Sequence, residues 1–400
     1  MIPGEKPQAG GYVISRGRIQ RILSPGEEEE ELLNLNLHGL SIYPGLINAH
    51  DTLLASYHAF SGEKRPYHNW LAWDNDVKSS SLFKERMLLE PETLYQLGAY
   101  RNLIAGTTSV LDHIPHFVRK AAPADLPVYL FPDFGLSHSV CSYSLDWGEG
   151  IAPEYKRAQK LGLPYITHIA EGFDRESTTS LRNLDREGGL GENTLLVHGL
   201  SLSEADMDLI AEKKASLVWC PVSNKNIYEK TAPIKELLER GVNICLGTDS
   251  AMTGSVNMID ELQGAIRQYG ERYGEDISPS LLLEMATRNA ARALRQPDRG
   301  TPGEDSIADL LVIKGKYPRD PYRSLLEAEL KEIYLVIRDG VPLYGEESLE
   351  PIFIQMGVTI DRVNIQGTPK IVTAGLKNLL ESVSLSGIAN GNFSFLPVST

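Results

Sequence analysis

Three short apolar runs in the middle of this 400-residue chain each end on a side chain that can bind a metal. They end at His168, His198 and Asp249, and Glu171 follows the first run by three residues. A strand that is buried on both faces of a parallel sheet is apolar throughout and carries its chemistry only at its carboxyl end. The pattern therefore predicts parallel strands whose ends meet at one site.

Strand-like and helix-like segments alternate between residues 104 and 294. The run Ser201-Leu202-Ser203-Glu204 resembles a capping box and predicts a helix immediately after His198. Ser278-Pro279 predicts the start of another helix. Repeated βα units indicate a parallel sheet, and polar residues at many strand ends favour a closed, TIM-like (β/α)8 barrel over an open sheet.

Both ends of the chain have β patterns instead. Residues 11–23 predict a hairpin, and Asp339-Gly340 is a strong signal for a two-residue hairpin turn. We therefore expect a small β-sandwich built from both chain ends. The predicted divisions are 1–43 for the first part of the sandwich, 44–302 for the barrel, 303–347 for the second part, and 348–400 for an extension of unknown role. Within this extension, residues 358–364 predict a strand and residues 371–383 a helix.

Composition narrows the class of protein and of partner. The net charge of -14 and the pI near 5.2 argue against nucleic-acid or acidic-membrane partners, because both need a basic surface. No apolar run suggests a signal peptide or a membrane span. The widely spaced Cys141, Cys220 and Cys245 indicate reduced thiols, so we expect a cytoplasmic protein with a small-molecule substrate.

Histidine and carboxylate side chains at strand ends suit a divalent metal. Zinc and iron accept imidazole and carboxylate ligands, and a bound metal lowers the pKa of its water. Several motifs occur in consistent order between residues 11 and 345. They are Tyr43-Pro44-Gly45-Leu46-Ile47-Asn48-Ala49-His50, Gly106-Thr107-Thr108, His168-Ile169-Ala170-Glu171, Val197-His198-Gly199, Cys220-Pro221-Val222-Ser223-Asn224, Gly247-Thr248-Asp249 and Asn289-Ala290-Ala291-Arg292-Ala293-Leu294.

Together these motifs resemble the amidohydrolase superfamily, and within it the branch of deaminases and chlorohydrolases that includes guanine, cytosine and methylthioadenosine deaminases. The resemblance implies a metal-dependent barrel flanked by a β-sandwich. It also implies hydrolysis of a carbon–nitrogen bond that is not a peptide bond, in a small cyclic amidine or nucleobase-like substrate. Dimers are common for such barrels, so a homo-oligomer is a mild expectation by analogy.

The resemblance also suggests roles for particular residues. One divalent metal, Zn or Fe, would rest on His50, His168 and Asp249, with His198 as a further candidate ligand. Asp249 would deprotonate a water, Glu171 would carry a proton to the substrate, and His198 would contact the attacking water or the developing oxyanion. Five residues are candidates for substrate binding. These are His113, His138, Trp70, Ser223 and Asn224. Of these, His113 is evenly balanced between lining the pocket and lying on the surface.

Two features depart from the family pattern. Family members carry His-x-His at the end of the first barrel strand, where this chain has His50-Asp51-Thr52. A threonine hydroxyl is a poor ligand for zinc or iron. Asp51 is next to His50, and neighbouring side chains of a strand point to opposite faces, so Asp51 should not replace the missing ligand. The resemblance therefore leaves open a weakly held or absent metal. The spacing from His113 to His168 is also short, which predicts that the barrel is trimmed between its third and fourth strands.

Two functions therefore remain open from the sequence. The first is a hydrolase that uses a metal-activated water. The second is a degenerate relative that lost its metal through Thr52 and acts by ligand binding or assembly. A nucleophilic hydrolase is a weaker alternative, because the chain has no Gly-x-Ser-x-Gly elbow.

Overall fold

The computed structural model of the protein describes residues 1–27, 33–60, 66–386 and 395–399. The strands in these ranges are β1 (Gly11–Ser15), β2 (Arg18–Leu23), β3 (Ser41–Pro44), β4 (Leu46–Asp51), β5 (Thr107–Asp112), β6 (Tyr129–Leu130), β7 (Gly135–Ser139), β8 (Tyr165–Ile169), β9 (Thr194–His198), β10 (Ser216–Trp219), β11 (Asn243–Leu246), β12 (Leu310–Ile313), β13 (Ile333–Arg338), β14 (Val341–Glu346), β15 (Ile360–Ile365), β16 (Thr368–Thr373) and β17 (Val398–Ser399).

The α-helices of the same ranges follow in chain order. They are α1 (Trp70–Ser79), α2 (Ser81–Arg86), α3 (Pro91–Leu103), α4 (His116–Arg119), α5 (Ile151–Leu161), α6 (Arg175–Arg186), α7 (Glu204–Lys213), α8 (Pro221–Tyr228), α9 (Ile234–Glu239), α10 (Met258–Tyr273), α11 (Pro279–Met285), α12 (Arg288–Ala293), α13 (Pro321–Leu326), α14 (Glu350–Gln355) and α15 (Leu376–Leu385). Helix α7 is capped by Ser203 and Asp206, so the predicted capping box was two residues out of register.

Strands β4 to β11 form the barrel. β4, β5 and β6 pair in parallel, and β7 to β11 form a second parallel group in sequential order. The two groups meet between β11 and β4, where the Asp249 amide donates a hydrogen bond to the His50 carbonyl at 3.0 Å. Successive residues of β9 pack alternately inside and outside the barrel, with Leu195 and Val197 inside and Leu196 outside. The predicted barrel with a separate antiparallel sheet is confirmed.

The barrel is trimmed at the predicted place. Only four residues, Phe131 to Phe134, separate β6 from β7, whereas a parallel crossover normally needs a dozen or more. No helix lies between these two strands in the described chain, and β6 is not paired with β7 there. The missing helix leaves an open cavity of about 520 Å³ on this side of the molecule, which Arg119, Tyr129 and Arg338 help to line.

The second sheet has seven strands in the order β17-β15-β16-β14-β13-β12-β3. The predicted hairpins are present as β1–β2 and β13–β14, and Asp339 and Gly340 adopt the positive φ that a type I′ turn requires. The extension adds β15, β16 and β17 to this sheet. The helix predicted over residues 371–383 was partly wrong, because Ile371 to Thr373 belong to β16 and the helix begins at Leu376. The divisions at 43/44, 302/303 and 347/348 stay predictions.

A buried ion pair fixes the end of β4 against α3. Arg101 Nη2 donates to both carboxylate oxygens of Asp51, at 2.9 and 2.6 Å, and Asn102 Nδ2 donates to Oδ2 at 2.9 Å. Both charged side chains are almost fully buried. Asp51 therefore points away from His50, as the alternation of strand side chains predicted.

Breaking this pair should destabilise the protein strongly. In Arg101→Met, the Asp51 carboxylate stays buried without its counter-charge, and the free energy of unfolding should fall by about 3–5 kcal/mol. Denaturant unfolding measures the change. Arg240→Met is the control, because Arg240 pairs with the exposed Asp208 and solvent screens such a surface pair, so that it contributes little to stability. If the free energy of unfolding fell equally in the two variants, the buried pair would stabilise the protein no more than the surface pair does.

Candidate functional site

The ends of four barrel strands converge on one point. His50 lies at the end of β4, His168 in β8, His198 at the end of β9, and Asp249 just after β11. One ligand atom from each of these residues lies within 4.8 Å of the corresponding atom of every other. His50 and His198 are buried, His168 and Asp249 are slightly exposed, and the group unites residues that are up to 199 positions apart in sequence.

The spacing of the ligand atoms is that of a metal cage. His50 Nε2 lies 3.2 Å from Asp249 Oδ1 and also 3.2 Å from His168 Nε2. A single imidazole nitrogen cannot be the donor to a carboxylate and the acceptor from a second ring at once. Ligands at about 2.0–2.1 Å from a tetrahedral metal are separated by roughly 3.4 Å. The two contacts therefore fit two edges of a coordination tetrahedron better than two hydrogen bonds.

Local backbone geometry turns these side chains into the pocket. Because Leu195 and Val197 already pack inside the barrel, a regular strand would send His198 outward. Its φ of +76° interrupts the strand there, and Asp249 has a φ of +66°. Such angles are costly for residues other than glycine and cluster at functional sites. In β4, a register shift against β5 between Asn48 and Asp51 has a similar effect on His50.

Two residues of α8 make hydrogen bonds to members of this group. Asn224 Oδ1 accepts a hydrogen bond from His198 Nδ1 at 2.9 Å, which fixes the ring with Nε2 toward Glu171. Ser223 Oγ donates to Asp249 Oδ2 at 2.6 Å. Both residues were predicted to contact substrate or to shape the barrel rim. In the structure, Asn224 contacts His198 and Ser223 contacts Asp249. Residues that hydrogen-bond to metal ligands commonly orient them in this way.

Burial and neighbouring charges set the protonation of the group. Burial, reinforced by the adjacent imidazoles, lowers the pKa of His168 well below its ordinary value, so this ring is neutral and able to bind a metal. Burial would raise the pKa of Asp249, but the hydrogen bond with His50 and the charges of His198 and His50 hold it well below the usual range. The pocket thus presents the neutral His168 ring beside the ionised Asp249 carboxylate.

Glu171 lies beside this group, beyond the end of β8. Its Oε1 accepts a hydrogen bond from the Tyr228 hydroxyl at 2.8 Å and is 3.5 Å from His198 Nε2. Burial raises the pKa of Glu171 to about 7, with a further contribution from the negative charge of Asp249. A carboxyl group with such a pKa can both accept and donate a proton near neutral pH.

Aromatic side chains form a wall next to the group of three histidines and Asp249. The ring centroids of Trp70 and His138 are 4.3 Å apart, those of His138 and Trp147 4.7 Å, and those of His113 and Trp147 5.3 Å. The structure therefore gathers the predicted residues Trp70, His138 and His113 at one pocket. Sequence reasoning missed Trp147 and Tyr228. Both residues come after a barrel strand in the sequence, and this position was the only signal that could have predicted their place in the pocket.

Two negative findings complete the site. Among the residues that the structure describes, no second histidine, cysteine or carboxylate of β4 joins His50 in the four-residue group. Across the described ranges, the helices are too short or too polar to cross a membrane.

Known proteins resemble this chain in sequence. Residues 158–367 match the model of the amidohydrolase family. The chain is 26% identical to a 5-methylthioadenosine/S-adenosylhomocysteine deaminase of Pelotomaculum thermopropionicum, covering 79% of this chain and 81% of the relative. It is 25% identical to an 8-oxoguanine deaminase of Pseudomonas aeruginosa, covering 76% of this chain and 82% of the relative.

Solved structures share the fold along almost the whole chain. An atrazine chlorohydrolase of Arthrobacter aurescens, solved with zinc and atraton, superposes with a TM-score of 0.74 at 17% identity over 94% of this chain and 95% of that one. An adenosine deaminase of Xanthomonas campestris with bound zinc gives a TM-score of 0.71 at 18% identity, over 94% and 92%. The family model covers more than half of the chain, in the region that carries His168, Glu171, His198 and Asp249. This protein therefore belongs to the amidohydrolase family.

Proposed function

We propose that this protein is a metal-dependent aminohydrolase, which releases ammonia from a small nucleobase-like ring by hydrolysis of a carbon–nitrogen bond. The observation that carries the proposal is the convergence of His168 Nε2 and Asp249 Oδ1 on His50 Nε2, each at 3.2 Å, next to Glu171. Relatives of two different substrate classes are both named as deaminases, which supports the reaction type more than any particular substrate.

The donor set fits a divalent metal. His50 and His168 offer nitrogen and Asp249 offers oxygen, which zinc and iron both accept, and His198 lies beside them. At His50 and His168 the converging Nε2 atoms are the ligand nitrogens, 3.2 Å apart. A divalent metal at this point supplies a hydroxide nucleophile near neutral pH.

The protein side chains handle the protons and orient the reactants. Asp249 is kept ionised and accepts the proton of the attacking water, while Ser223 holds its second oxygen in place. Glu171 delivers its proton to the ring nitrogen, takes up a proton from the hydroxyl group added to the carbon and passes it to the departing amino group, while Tyr228 fixes its orientation. The proton held by Asp249 then returns to Glu171. A carbon–oxygen bond forms, the carbon–nitrogen bond breaks, and ammonia leaves. His198, oriented by Asn224, donates to or accepts from the attacking oxygen.

The pocket walls favour a flat substrate. Trp70, His138 and Trp147 pack edge to face beside His168 and the residues grouped with it. Aromatic faces bind planar heterocycles by stacking and exclude water from the reacting bond. This arrangement supports a cyclic amidine or nucleobase-like ring over an open-chain amide.

Thr52 favours the second candidate, a ligand-binding relative without a metal. The two functions are separated by ammonia release from a panel of 5′-methylthioadenosine, S-adenosylhomocysteine, 8-oxoguanine, guanine and cytosine. We expect turnover of at least one compound, its loss after chelation, and its recovery with Zn²⁺ or Fe²⁺. Metal-loaded protein that binds panel compounds without releasing ammonia would favour the second candidate.

Asn224 provides a test of how His198 is oriented. In Asn224→Ala, the His198 ring loses the partner that fixes its tautomer, so we expect the rate of ammonia release to fall about 10- to 100-fold. The rate is measured with the best compound of the panel. Asn226→Ala is the matched control on the same helix, because Asn226 Nδ2 donates to the Thr253 carbonyl and not to His198. Equal rates in the two variants would refute the positioning role.

A further inference from the structure

A fifth histidine lies against the candidate metal site. His113 directly follows β5, and its side chain is 1% exposed. Its ring centroid is 5.2 Å from that of His50 and 4.8 Å from that of His168, while the His50 and His168 centroids are 5.0 Å apart. The three imidazoles thus form a nearly equilateral triangle.

These separations are those expected of imidazoles that share one metal. With metal–nitrogen bonds of about 2.0–2.1 Å in tetrahedral geometry, the ring centroids of two imidazole ligands lie roughly 5 Å apart. His198 fits less well, because its centroid is 6.1 Å from that of His50. By this measure His113 completes the set of imidazoles better than His198 does.

The polar contact of the His113 ring with the protein is a poorly aligned one to the Ser137 backbone. Neither Nδ1 nor Nε2 makes a hydrogen bond of good geometry, although both are buried. A buried polar atom without a partner costs about 1–3 kcal/mol. A packing role would be served at lower cost by an apolar side chain, whereas a metal would satisfy one of the two nitrogens.

We propose that His113 supplies an imidazole to the metal, so that the centre consists of His50, His113, His168 and Asp249. The end of β5 would then contribute the ligand that Thr52 at the end of β4 cannot provide. The inference rests on the proposed function, because it presumes a metal. His198 would be left free to act with Glu171, from which its Nε2 is 3.5 Å away.

Ligation requires a movement of the His113 side chain. His113 is not among the four residues whose ligand atoms already lie within 4.8 Å of one another. The second side-chain torsion of histidine is broad, so its ring can turn at little cost. The rotation needed is that of one ring beside Trp147, whose centroid is 5.3 Å away.

Cobalt binding tests the inference without reference to catalysis. Untagged full-length protein is stripped with a chelator and titrated with Co²⁺, and the dissociation constant and visible absorption bands are recorded for wild type, His113→Ala, His113→Gln and His138→Ala. His138 is the matched control, because it is also buried and its centroid is 5.1 Å from that of His168. Thermal unfolding of the metal-free variants shows which of them fold.

If His113 is a ligand, both His113 variants bind Co²⁺ at least about 100-fold more weakly and change its spectrum, while His138→Ala stays within about three-fold of wild type. Thr52→His in the His113→Ala background should then recover most of the affinity. Wild-type affinity and spectrum in a folded His113 variant would overturn the inference and leave the proposed function intact. Failure of wild type to bind Co²⁺ would overturn both.

Discussion

Glu171→Gln should lower the rate of ammonia release by about 10²–10⁴-fold without changing the metal content. The carboxamide has the shape of the carboxyl group and can still accept a hydrogen bond from Tyr228, but it cannot carry a proton. The effect should fall on kcat, because substrate contacts with the aromatic wall remain. Ammonia release and elemental analysis of the same preparation measure both quantities.

Glu261→Gln is the control for this prediction. Glu261 is also buried, and burial raises its pKa to about 8, but its Oε1 accepts from the backbone amide of Val222, outside the pocket. Its carboxyl group is mostly protonated at neutral pH, and glutamine resembles that form. We expect this variant to keep most of the activity. If Glu171→Gln retained activity as well, the proton route through Glu171 would be wrong.

Asp249→Asn should have the second large effect, on metal binding and activity together. The change removes the only ionised ligand, and the neutral carboxamide is a weaker ligand for zinc or iron. We expect metal content to fall from about one per chain to a small fraction, and ammonia release to fall by at least about 10³-fold. Elemental analysis after dialysis and the ammonia assay give the two results.

Ser223→Ala provides a graded comparison. Ser223 only holds Asp249 Oδ2, so its loss should weaken metal binding by about 10- to 100-fold and leave the ligand in place. Asp208→Asn, at an exposed surface carboxylate, should change neither quantity. Metal content in Asp249→Asn that matched wild type would remove Asp249 from the metal site.

The sequence allows prediction of those parts of the structure that depend on the local pattern of apolar and polar residues. Buried parallel strands must be apolar and end in polar chemistry, so the positions of His168, His198 and Asp249 followed from the sequence. Alternation along β4 correctly predicted that Asp51 would point away from His50. It could not predict Arg101 as the partner, because α3 and β4 are distant in sequence and meet only in the folded barrel.

The missed features depend on geometry that no local pattern contains. Asn224 reaches His198 because α8 crosses behind the end of β9, and Trp147 enters the pocket from the long connection between β7 and α5. His113 was ambiguous because Pro115 suggested an exposed loop, whereas the structure buries its ring. In the extension, the helical pattern over residues 371–383 hid a strand, and the β-branched Ile371, Val372 and Thr373 were the signal for it.

Metal content of the purified protein tests the central claim most directly. The protein is expressed without a histidine tag, purified without chelators, dialysed against metal-free buffer and measured by elemental analysis. About one zinc or iron per chain is the predicted result, carried by His50, His168 and Asp249 with the neighbouring imidazoles. Protein that stays metal-free after incubation with excess Zn²⁺, Mn²⁺ and Fe²⁺ would contradict the hydrolytic function, and the pocket would then be a ligand-binding site.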